Sequence, residues 1–403
     1  MRLESDLMKV ALISVHGDPA LQAGGKDVGG MNIYIREVAH RLKSEGIEID
    51  IFTREHNRQE ELEEEFEALN IIYINAGDPD IDKTGIFSDL DKFVEGVLNY
   101  SSRQNQSYEL IYAHYWLSGV VAIELKNAWN VPVITSFHTI QGIKKENFPF
   151  NKDNQEREKQ ERIISLQSDS IIVWSSHEKK FIEQNFGVKP SKISVIPPGV
   201  DLDLFHPINI QEARRKIQMQ ERVRTILYVG RIERLKGLDM LLKALSQIHH
   251  EDTFLYIIGG MYNVEEVNRL KKICIDLNLN EKVHFIGSIS REQLKYYYNS
   301  ADLHVLPSYY ESFGLSVLES AACGKPSIAS KVGGLPSIIR DNETGFLLEQ
   351  RSLDSLIKKI EILLNDKELS ETMGRAARKQ AENLDWDIAI NQLKNLFDKL
   401  TSK

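Results

Sequence analysis

Pro307-Ser308-Tyr309-Tyr310-Glu311-Ser312-Phe313-Gly314-Leu315-Ser316-Val317-Leu318-Glu319-Ser320-Ala321-Ala322-Cys323-Gly324-Lys325-Pro326 is the stretch whose reading decides the fold. The apolar run before it, Leu303-His304-Val305-Leu306, predicts a buried strand. Phe313-Gly314 predicts a tight turn. From Leu315 the apolar residues fall at helical spacing, and Gly324-Lys325-Pro326 stops the helix. A strand that feeds a glycine turn and then a helix start aims free N–H groups and the positive end of a helix dipole at the strand's carboxyl end. A phosphate fits there. Two carboxylates flank the turn: Glu311 just before it, and Glu319 about two helical turns later. Beside a phosphate, a carboxylate is out of place unless it accepts hydrogen bonds from hydroxyls such as those of a ribose or a hexose. The spacing alone suits equally well a solvated helix residue at Glu319 and a helix-start charge at Glu311.

Glu311-Ser312-Phe313-Gly314-Leu315, with a second Glu at 319, resembles the E-x7-E signature of the family 4 retaining glycosyltransferases. The resemblance implies an α/β protein of the GT-B fold, in which two Rossmann-like domains face each other across a cleft. It implies that Glu311 and the amides of Ser312, Phe313, Gly314 and Leu315 hold the donor hexose, and that Glu319 holds the ribose.

Working outward, Thr225-Ile226-Leu227-Tyr228-Val229-Gly230 predicts the first strand of a second domain. Arg231 and Lys236 follow it, just before a helix from Leu238. Two cations at a strand's carboxyl end suit a diphosphate, although a basic pair in a loop is more often surface charge. Here they resemble the family's Arg and Lys that neutralise the leaving diphosphate. Phe254 to Gly260 and Val283 to Gly287 predict further strands. The resemblance implies that Ser288 and Ile289, after the latter, meet the nucleobase through backbone. Pro326 to Ser330 and the turn Val332-Gly333-Gly334-Leu335-Pro336 complete the matching run. Pro197-Pro198-Gly199 supplies a stiff exit from the first domain. The expected division is 1–200, 201–383, and a helix over 384–403 that returns to the first domain.

In the first half, Lys9 to Ser14 predicts a buried strand of parallel-sheet type. His16-Gly17-Asp18-Pro19 and Gly29-Gly30-Met31-Asn32 lie in the loop after it, with a helix expected over Ile33 to Leu42. Paired glycines let the backbone approach a ligand closely, although most such pairs are only turns. Both tetrapeptides resemble the subgroup that contains inositol-phosphate N-acetylglucosaminyltransferase and the sucrose-phosphate synthases, and this implies a donor-diphosphate contact at Gly30. Ile47 to Thr53 alternates as a strand, and Gln59 to Glu67 reads as a solvated acidic helix or loop. Ile71 to Asn75, Leu110 to His114 and Val131 to Thr139 predict more strands, the last with His138 and Thr139 at its carboxyl end. The family resemblance implies that His138 touches the donor sugar. A polar helix is expected over Gln155 to Gln167, and most charges on such a helix are solvated. Arg157 fits the family spacing to Asp169 better than Arg162 does. Strands alternating with helices imply a doubly wound parallel sheet whose ligands gather at the strands' carboxyl ends.

The chain has 403 residues, net charge −9, 42% hydrophobic and 27% charged residues. This predicts two globular domains and argues against general nucleic-acid binding. Cys274 and Cys323 lie far apart in apolar helical patterns, which suits a reducing cytoplasm better than a disulfide framework or a metal site. No segment approaches membrane-spanning length, and Met1 to Met8 is not a secretory signal.

The combined reading is a cytoplasmic retaining hexosyltransferase that takes a nucleotide-sugar donor, UDP-glucose or UDP-N-acetylglucosamine, and is compatible with a homodimer. The reading resembles the family's chemistry, with His138, Arg231, Lys236 and Glu311 at the reacting centre. The bond to diphosphate breaks through an oxocarbenium-like transition state, and the charge falls on groups fixed in advance. No carboxylate is placed as a nucleophile, so front-face attack is expected rather than the two-carboxylate glycosidase plan. No metal is required, although Mg2+ is compatible. The acceptor is expected to be a small phosphorylated polyol or sugar. Lys83, Tyr115, Thr139 and Arg157 follow strands or lie on an adjoining helix, and two cations with a phenol and a hydroxyl suit a phosphate dianion. The same positions resemble the phosphate-holding set of the inositol-phosphate enzyme, with His16 and Asn32 suited to ring hydroxyls. Solvated charges at Lys83 and Arg157 and a half-buried packing residue at Tyr115 are the competing expectation. Other classes remain open: a glycosyltransferase of lipid or polysaccharide synthesis using a UDP- or GDP-sugar, and a non-transferring GT-B sugar-nucleotide enzyme or sensor. A NAD dehydrogenase is disfavoured, because no G-x-G-x-x-G follows Ser14.

Overall fold

The computed structural model describes residues 7–21, 29–57, 69–81, 85–148, 154–349 and 352–402. Among them the chain forms two compact units. One takes the chain up to Pro197 together with Ala389–Lys403, and the other takes Pro198–Ile388.

The first unit runs β1 (Lys9–Ile13), α1 (Gly30–Ser44), β2 (Glu48–Arg54), β3 (Asn70–Ile74), α2 (Leu90–Arg103), β4 (Leu110–His114) and α3 (Tyr115–Trp129). It continues through β5 (Val133–Ser136), α4 (Gln141–Asn147), α5 (Gln155–Gln167), β6 (Ser170–Val173), α6 (Ser176–Phe181) and β7 (Ile193–Val195). Its strands pair in parallel in the order β3-β2-β1-β4-β5-β6-β7. The second unit runs α7 (Ile210–Lys216), β8 (Arg224–Val229), α8 (Leu238–Leu245), β9 (Thr253–Ile258), α9 (Val264–Asp276), β10 (Val283–Gly287) and α10 (Arg291–Ser300). It continues through β11 (Leu303–Leu306), α11 (Leu315–Ala322), β12 (Ser327–Ser330), α12 (Leu335–Ile338), β13 (Gly345–Leu348), α13 (Leu353–Asn365) and α14 (Lys367–Ala381). Its order is β10-β9-β8-β11-β12-β13, again parallel. The last helix, α15 (Trp386–Thr401), joins the first unit from Ala389, with Phe397 against the Tyr112 ring and Lys394 paired to Glu45. This is the doubly wound α/β architecture that the strand–helix alternation predicts.

Strand order reverses between β1 and β4 in one sheet and between β8 and β11 in the other. Loops leaving such neighbouring strands diverge to opposite faces and open a crevice at the carboxyl ends. Of the residues singled out in the sequence, His16, Tyr115, His138, Thr139, Arg231, Lys236 and Glu311 follow these strands or β5, Ser288 and Ile289 follow β10, and Arg157 and Glu319 lie on helices.

Some expectations are corrected. β2 does not alternate between core and solvent: Asp50 is only 3% exposed. Helices cover both faces of a parallel sheet, so Asp50 takes partners inside it: Asn70 Nδ2 at 2.6 Å, Tyr108 Oη at 2.7 Å and Lys9 Nζ at 3.2 Å. α1 begins at Gly30 rather than Ile33, because Asn32 Oδ1 accepts from Gly29 N at 3.2 Å and closes the first turn. β5 ends at Ser136 rather than reaching Thr139, because His138 takes the left-handed region at φ 59°. The acidic run Gln59 to Glu67 lies outside the described residues. Cys274 and Cys323 are free and buried. Among the described residues no helix is long and apolar enough to cross a membrane.

Candidate active site

In the first unit the residues after β1, β4 and β5 converge on Arg157. Arg157 lies on α5, a helix polar enough in sequence to read as solvated, yet it is 6% exposed and Glu161 is 0% exposed. The i, i+4 spacing brings them together, with Arg157 Nε donating to Glu161 Oε1 at 2.7 Å. Gln141 N donates to Glu161 Oε2 at 2.9 Å from the start of α4. Burial pushes the Glu161 carboxyl up, opposed by the Arg157 guanidinium and the Gln141 amide. With Nε fixed, the rest of the fork reaches forward. Nη1 donates to Tyr115 Oη at 2.9 Å, and Nη2 donates to Thr139 O at 2.6 Å and Thr139 Oγ1 at 2.9 Å. The guanidinium also lies over the Tyr115 ring at 4.7 Å, and the His16 ring is tilted against the same ring with centroids 4.5 Å apart. Tyr115, Thr139 and Arg157 are thus one cluster, and the solvated reading of Arg157 is overturned. Lys83 lies outside the described residues.

Tyr115 and His138 both have positive φ, 77° and 59°, at the ends of neighbouring strands. For bulky residues this conformation is strained, and such outliers gather at functional sites. The His138 ring is turned inward, with Nε2 at 2.9 Å from His114 Nδ1 and Nδ1 also buried.

The segment directly after β1 holds a residue whose role the sequence reading missed. Asp18 is 1% exposed. Its Oδ1 accepts from Ala20 N at 2.8 Å, its Oδ2 lies 2.8 Å from His56 Nε2, and its backbone O accepts from Asn32 Nδ2 at 2.8 Å. Asn32 thereby ties Asp18 to Gly29, the residue before Gly30 at the head of α1.

Glu178 shares a small buried pocket with Ser136, His138 and Trp174. Burial pushes its carboxyl up from an ordinary 4.5 to about 7, against the pull of the Trp174 and Ser175 backbone contacts. The folded chain therefore holds the proton more tightly than the unfolded chain, and stability is lost as pH rises from 4.5 through about 7. Glu178→Gln keeps an oxygen for Trp174 N and removes the ionisation. Calorimetry should find it more stable than the parent at pH 8, by on the order of 1–3 kcal/mol, and level with it at pH 5. A difference that does not change with pH would contradict this.

In the second unit the loops after β8 and β11 form one assembly. Lys236 Nζ meets Glu311 Oε2 at 2.5 Å, with the side chains only 12% and 15% exposed. Tyr309 N donates to Leu235 O at 2.8 Å and fastens the two loops. Gly314 caps α11 at φ 104°, a conformation that favours glycine, and this frees the amides of the first turn. The Gly333-Gly334 turn supports the loop from below. A Cβ at Gly333 would stand 1.6 Å from Glu311 O, so only a glycine lets the two backbones approach. Tyr310 Oη and Ser312 Oγ lie 3.0 Å apart, and Phe313 is buried beneath. Glu319 is 7% exposed and accepts from Tyr298 Oη at 2.8 Å, which overturns the solvated reading. Burial and the Glu319 carboxylate both push the Tyr298 phenol well up, so it stays a donor. Arg231 is not on the same partner as Lys236: its guanidinium is exposed and pairs with Glu233 at 2.9 Å. Ser288 is exposed and Ile289 half-buried at the end of β10, where Gly259 N donates to Gly287 O at 3.0 Å. Leu315 opens α11 and is half-buried.

Sequence comparison places two known domains on this geometry. Residues 28–204 match Glycosyltransferase Family 4 and residues 209–380 match Glycosyl transferases group 1. D-inositol 3-phosphate glycosyltransferase of Corynebacterium aurimucosum is 31% identical over 404 residues, covering 97% of this chain and 96% of that one. The structure of sucrose-phosphate synthase from Thermosynechococcus elongatus superposes with a TM-score of 0.91 at 32% identity, covering 98% of this chain and 99% of that one. Anabaena HepE in complex with UDP-glucose superposes with a TM-score of 0.79 at 19% identity, covering 98% and 100%, and shares the fold. With both halves matched and relatives aligned over nearly the full length, this chain belongs to the family 4 glycosyltransferases of GT-B fold, and it is a hexosyltransferase.

Proposed function

We propose that the enzyme transfers a hexosyl unit, with retention, from UDP-glucose or UDP-N-acetylglucosamine to a small phosphorylated polyol or sugar. The observation that carries this reading is the Arg157 cluster. A guanidinium fixed at one edge by Glu161, with a phenol and a hydroxyl at its other nitrogens, is the chemistry that holds a phosphate dianion. Lys83 is assigned to the same phosphate, and His16 and Asn32 to ring hydroxyls. The names of the relatives support the reading: one carries a phosphorylated polyol and the other a phosphorylated sugar.

On the donor side, Glu319 is assigned to the ribose. Glu311 and the amides of Ser312, Phe313, Gly314 and Leu315 are assigned to the hexose, Ser288 and Ile289 to the base, and Gly30, Arg231 and Lys236 to the diphosphate. His138, at the carboxyl end of β5, is assigned to the donor sugar. The UDP-glucose complex of HepE supports UDP. As the bond from the anomeric carbon to the diphosphate breaks, negative charge grows on the leaving phosphate, and cations and helix-start amides fixed in advance stabilise it. The acceptor oxygen attacks from the same face, and its proton passes to the leaving phosphate oxygen. This scheme calls on no metal.

The donor assignment has its own test. Glu319→Ala should weaken UDP binding by about tenfold or more in calorimetry, because a charge-assisted bond to the ribose is lost. Unchanged affinity would remove Glu319 from the donor site. For the overall reaction, a panel of nucleotide-sugars is incubated with D-inositol 3-phosphate or fructose 6-phosphate and analysed by mass spectrometry. A phosphorylated glycoside is expected from one acceptor. Transfer confined to lipid or polysaccharide acceptors would overturn the reading.

A further inference from the structure

Thr139 meets Arg157 because of an unusual turn. Thr139 N donates to Phe137 O at 2.6 Å across the single residue His138, whose φ is 59°. A γ-turn with positive φ at its centre is rare and strained, and such a backbone persists only where surrounding contacts hold it. His138 has no glycine-like freedom, so something must hold its side chain.

The holding contact comes from the neighbouring strand. His114 ends β4 directly opposite Ser136 of β5, is wholly buried, and places Nδ1 at 2.9 Å from His138 Nε2. Aromatic rings leave neither imidazole room to swing. Tyr112 lies 4.2 Å from His114, and Tyr34 lies 5.8 Å from His114 and 5.4 Å from His138. Trp174 stands edge-on to His138 at 4.7 Å. The Tyr34 and Tyr112 hydroxyls are 2.9 Å apart, so these two rings are themselves anchored.

Burial pulls the His114 imidazole down to about 3, so the ring is neutral and carries one N–H. His114 Nε2 is buried with no hydrogen-bond partner among the described residues. The Nδ1–Nε2 contact is thus the hydrogen bond through which His114 reaches His138, and it forms whichever of the two rings supplies the proton.

We propose that His114 is a positioning residue for the acceptor site: its hydrogen bond from β4 pins the His138 ring and thereby holds the strained turn that sets Thr139 against Arg157. The inference rests on the phosphate reading of the Arg157 cluster for its kinetic consequence, but not for its structural one. His114 acts through His138 and Thr139, at one remove from any substrate.

The test uses the full-length enzyme and has two arms. In the first, the crystal structure of His114→Phe is determined. The bond is gone, an aromatic ring of similar breadth remains, and residue 138 should leave positive φ with loss of the Thr139–Arg157 bonds. An unchanged turn would overturn the proposal whatever the acceptor is. In the second arm, kinetics are measured with phosphorylated and unphosphorylated acceptors. His114→Phe should raise the KM for the phosphorylated acceptor about tenfold and shrink the preference for phosphate, and any change in donor KM through His138 should be the same with either form of the acceptor. His114→Asn, whose Nδ2 sits near the Nδ1 position, should restore both. In a His138→Gly background, where positive φ needs no support, adding His114→Phe should change the turn and the Thr139–Arg157 bonds no further in the crystal structure. A fall in kcat alone, equal for all acceptors, or failure of Asn to restore the preference, would overturn the positioning role. If His114→Phe does not fold, His114→Gln, whose amide overreaches the Nδ1 position, replaces it in both arms. A parent enzyme with no phosphate preference would sink the acceptor reading instead, and the structural arm would still decide the role of His114.

Discussion

Lys236→Ala should lower kcat by roughly a hundredfold or more, the loss that follows removal of one preorganised group from a developing negative charge. Lys236 is held before any substrate arrives, because the Glu311 carboxylate at 2.5 Å fixes its ammonium and Tyr309 N fastens its loop to the one after β11. The side chain is 12% exposed, so its charge is screened less than a surface lysine's. Its removal also leaves the Glu311 carboxylate without its counter-charge close to the proposed diphosphate, and repulsion adds to the loss. Arg231→Ala should act in the same direction, from a more exposed position paired to Glu233. Steady-state kinetics at saturating donor would decide: an unchanged kcat with only a raised KM would mean that these cations serve uniform binding rather than the transition state.

Arg157→Ala should cost on the order of a hundredfold in kcat/KM for a phosphorylated acceptor, given that hydrogen bonds to charged groups contribute about 1.5–3 kcal/mol. It should also destabilise the first unit. Glu161 is 0% exposed, and without Arg157 it becomes a buried carboxylate held by the Gln141 amide; a stranded buried charge typically costs about 3–5 kcal/mol. The two effects separate in Arg157→Ala/Glu161→Gln, where the stranded charge is gone. Thermal stability should recover in that double variant while acceptor kcat/KM stays low. If both recover together, Arg157 serves the fold and not the acceptor.

The sequence shows the second-unit site more clearly than the first. The run Leu303–Leu306, the glycine at 314 and the helix to Ala322 are local signals, and the structure follows them closely. Nearest-neighbour patterns also suffice to set the strand–helix alternation. What they do not show is where polar groups go when distant residues meet them. α5 has the composition of a solvated helix, yet Arg157 and Glu161 are buried because Tyr115, Thr139 and Gln141 arrive from other elements. Glu319 is covered by Tyr298 from α10, and Asp50 by Tyr108 and Asn70, so neither helical spacing nor strand alternation predicts their burial. The end of β5 is missed for a different reason. His138 adopts positive φ without being Gly, and although His visits that region more often than most residues, its identity alone does not announce the turn. The i, i+4 spacing of Arg157 and Glu161 was the one available local signal for the acceptor cluster, and it says that they pair, not that they pair in the interior.

The central claim is a phosphate-holding acceptor site on a hexosyltransferase. It is tested most directly by competing D-inositol 3-phosphate with inositol, and fructose 6-phosphate with fructose, as acceptors for the UDP-sugar the enzyme uses. A phosphorylated acceptor should be preferred in kcat/KM by at least about a hundredfold, consistent with charge-assisted bonds to the phosphate, and the preference should collapse in Arg157→Ala/Glu161→Gln. Equal rates for the phosphorylated and unphosphorylated forms of both acceptors would contradict the account.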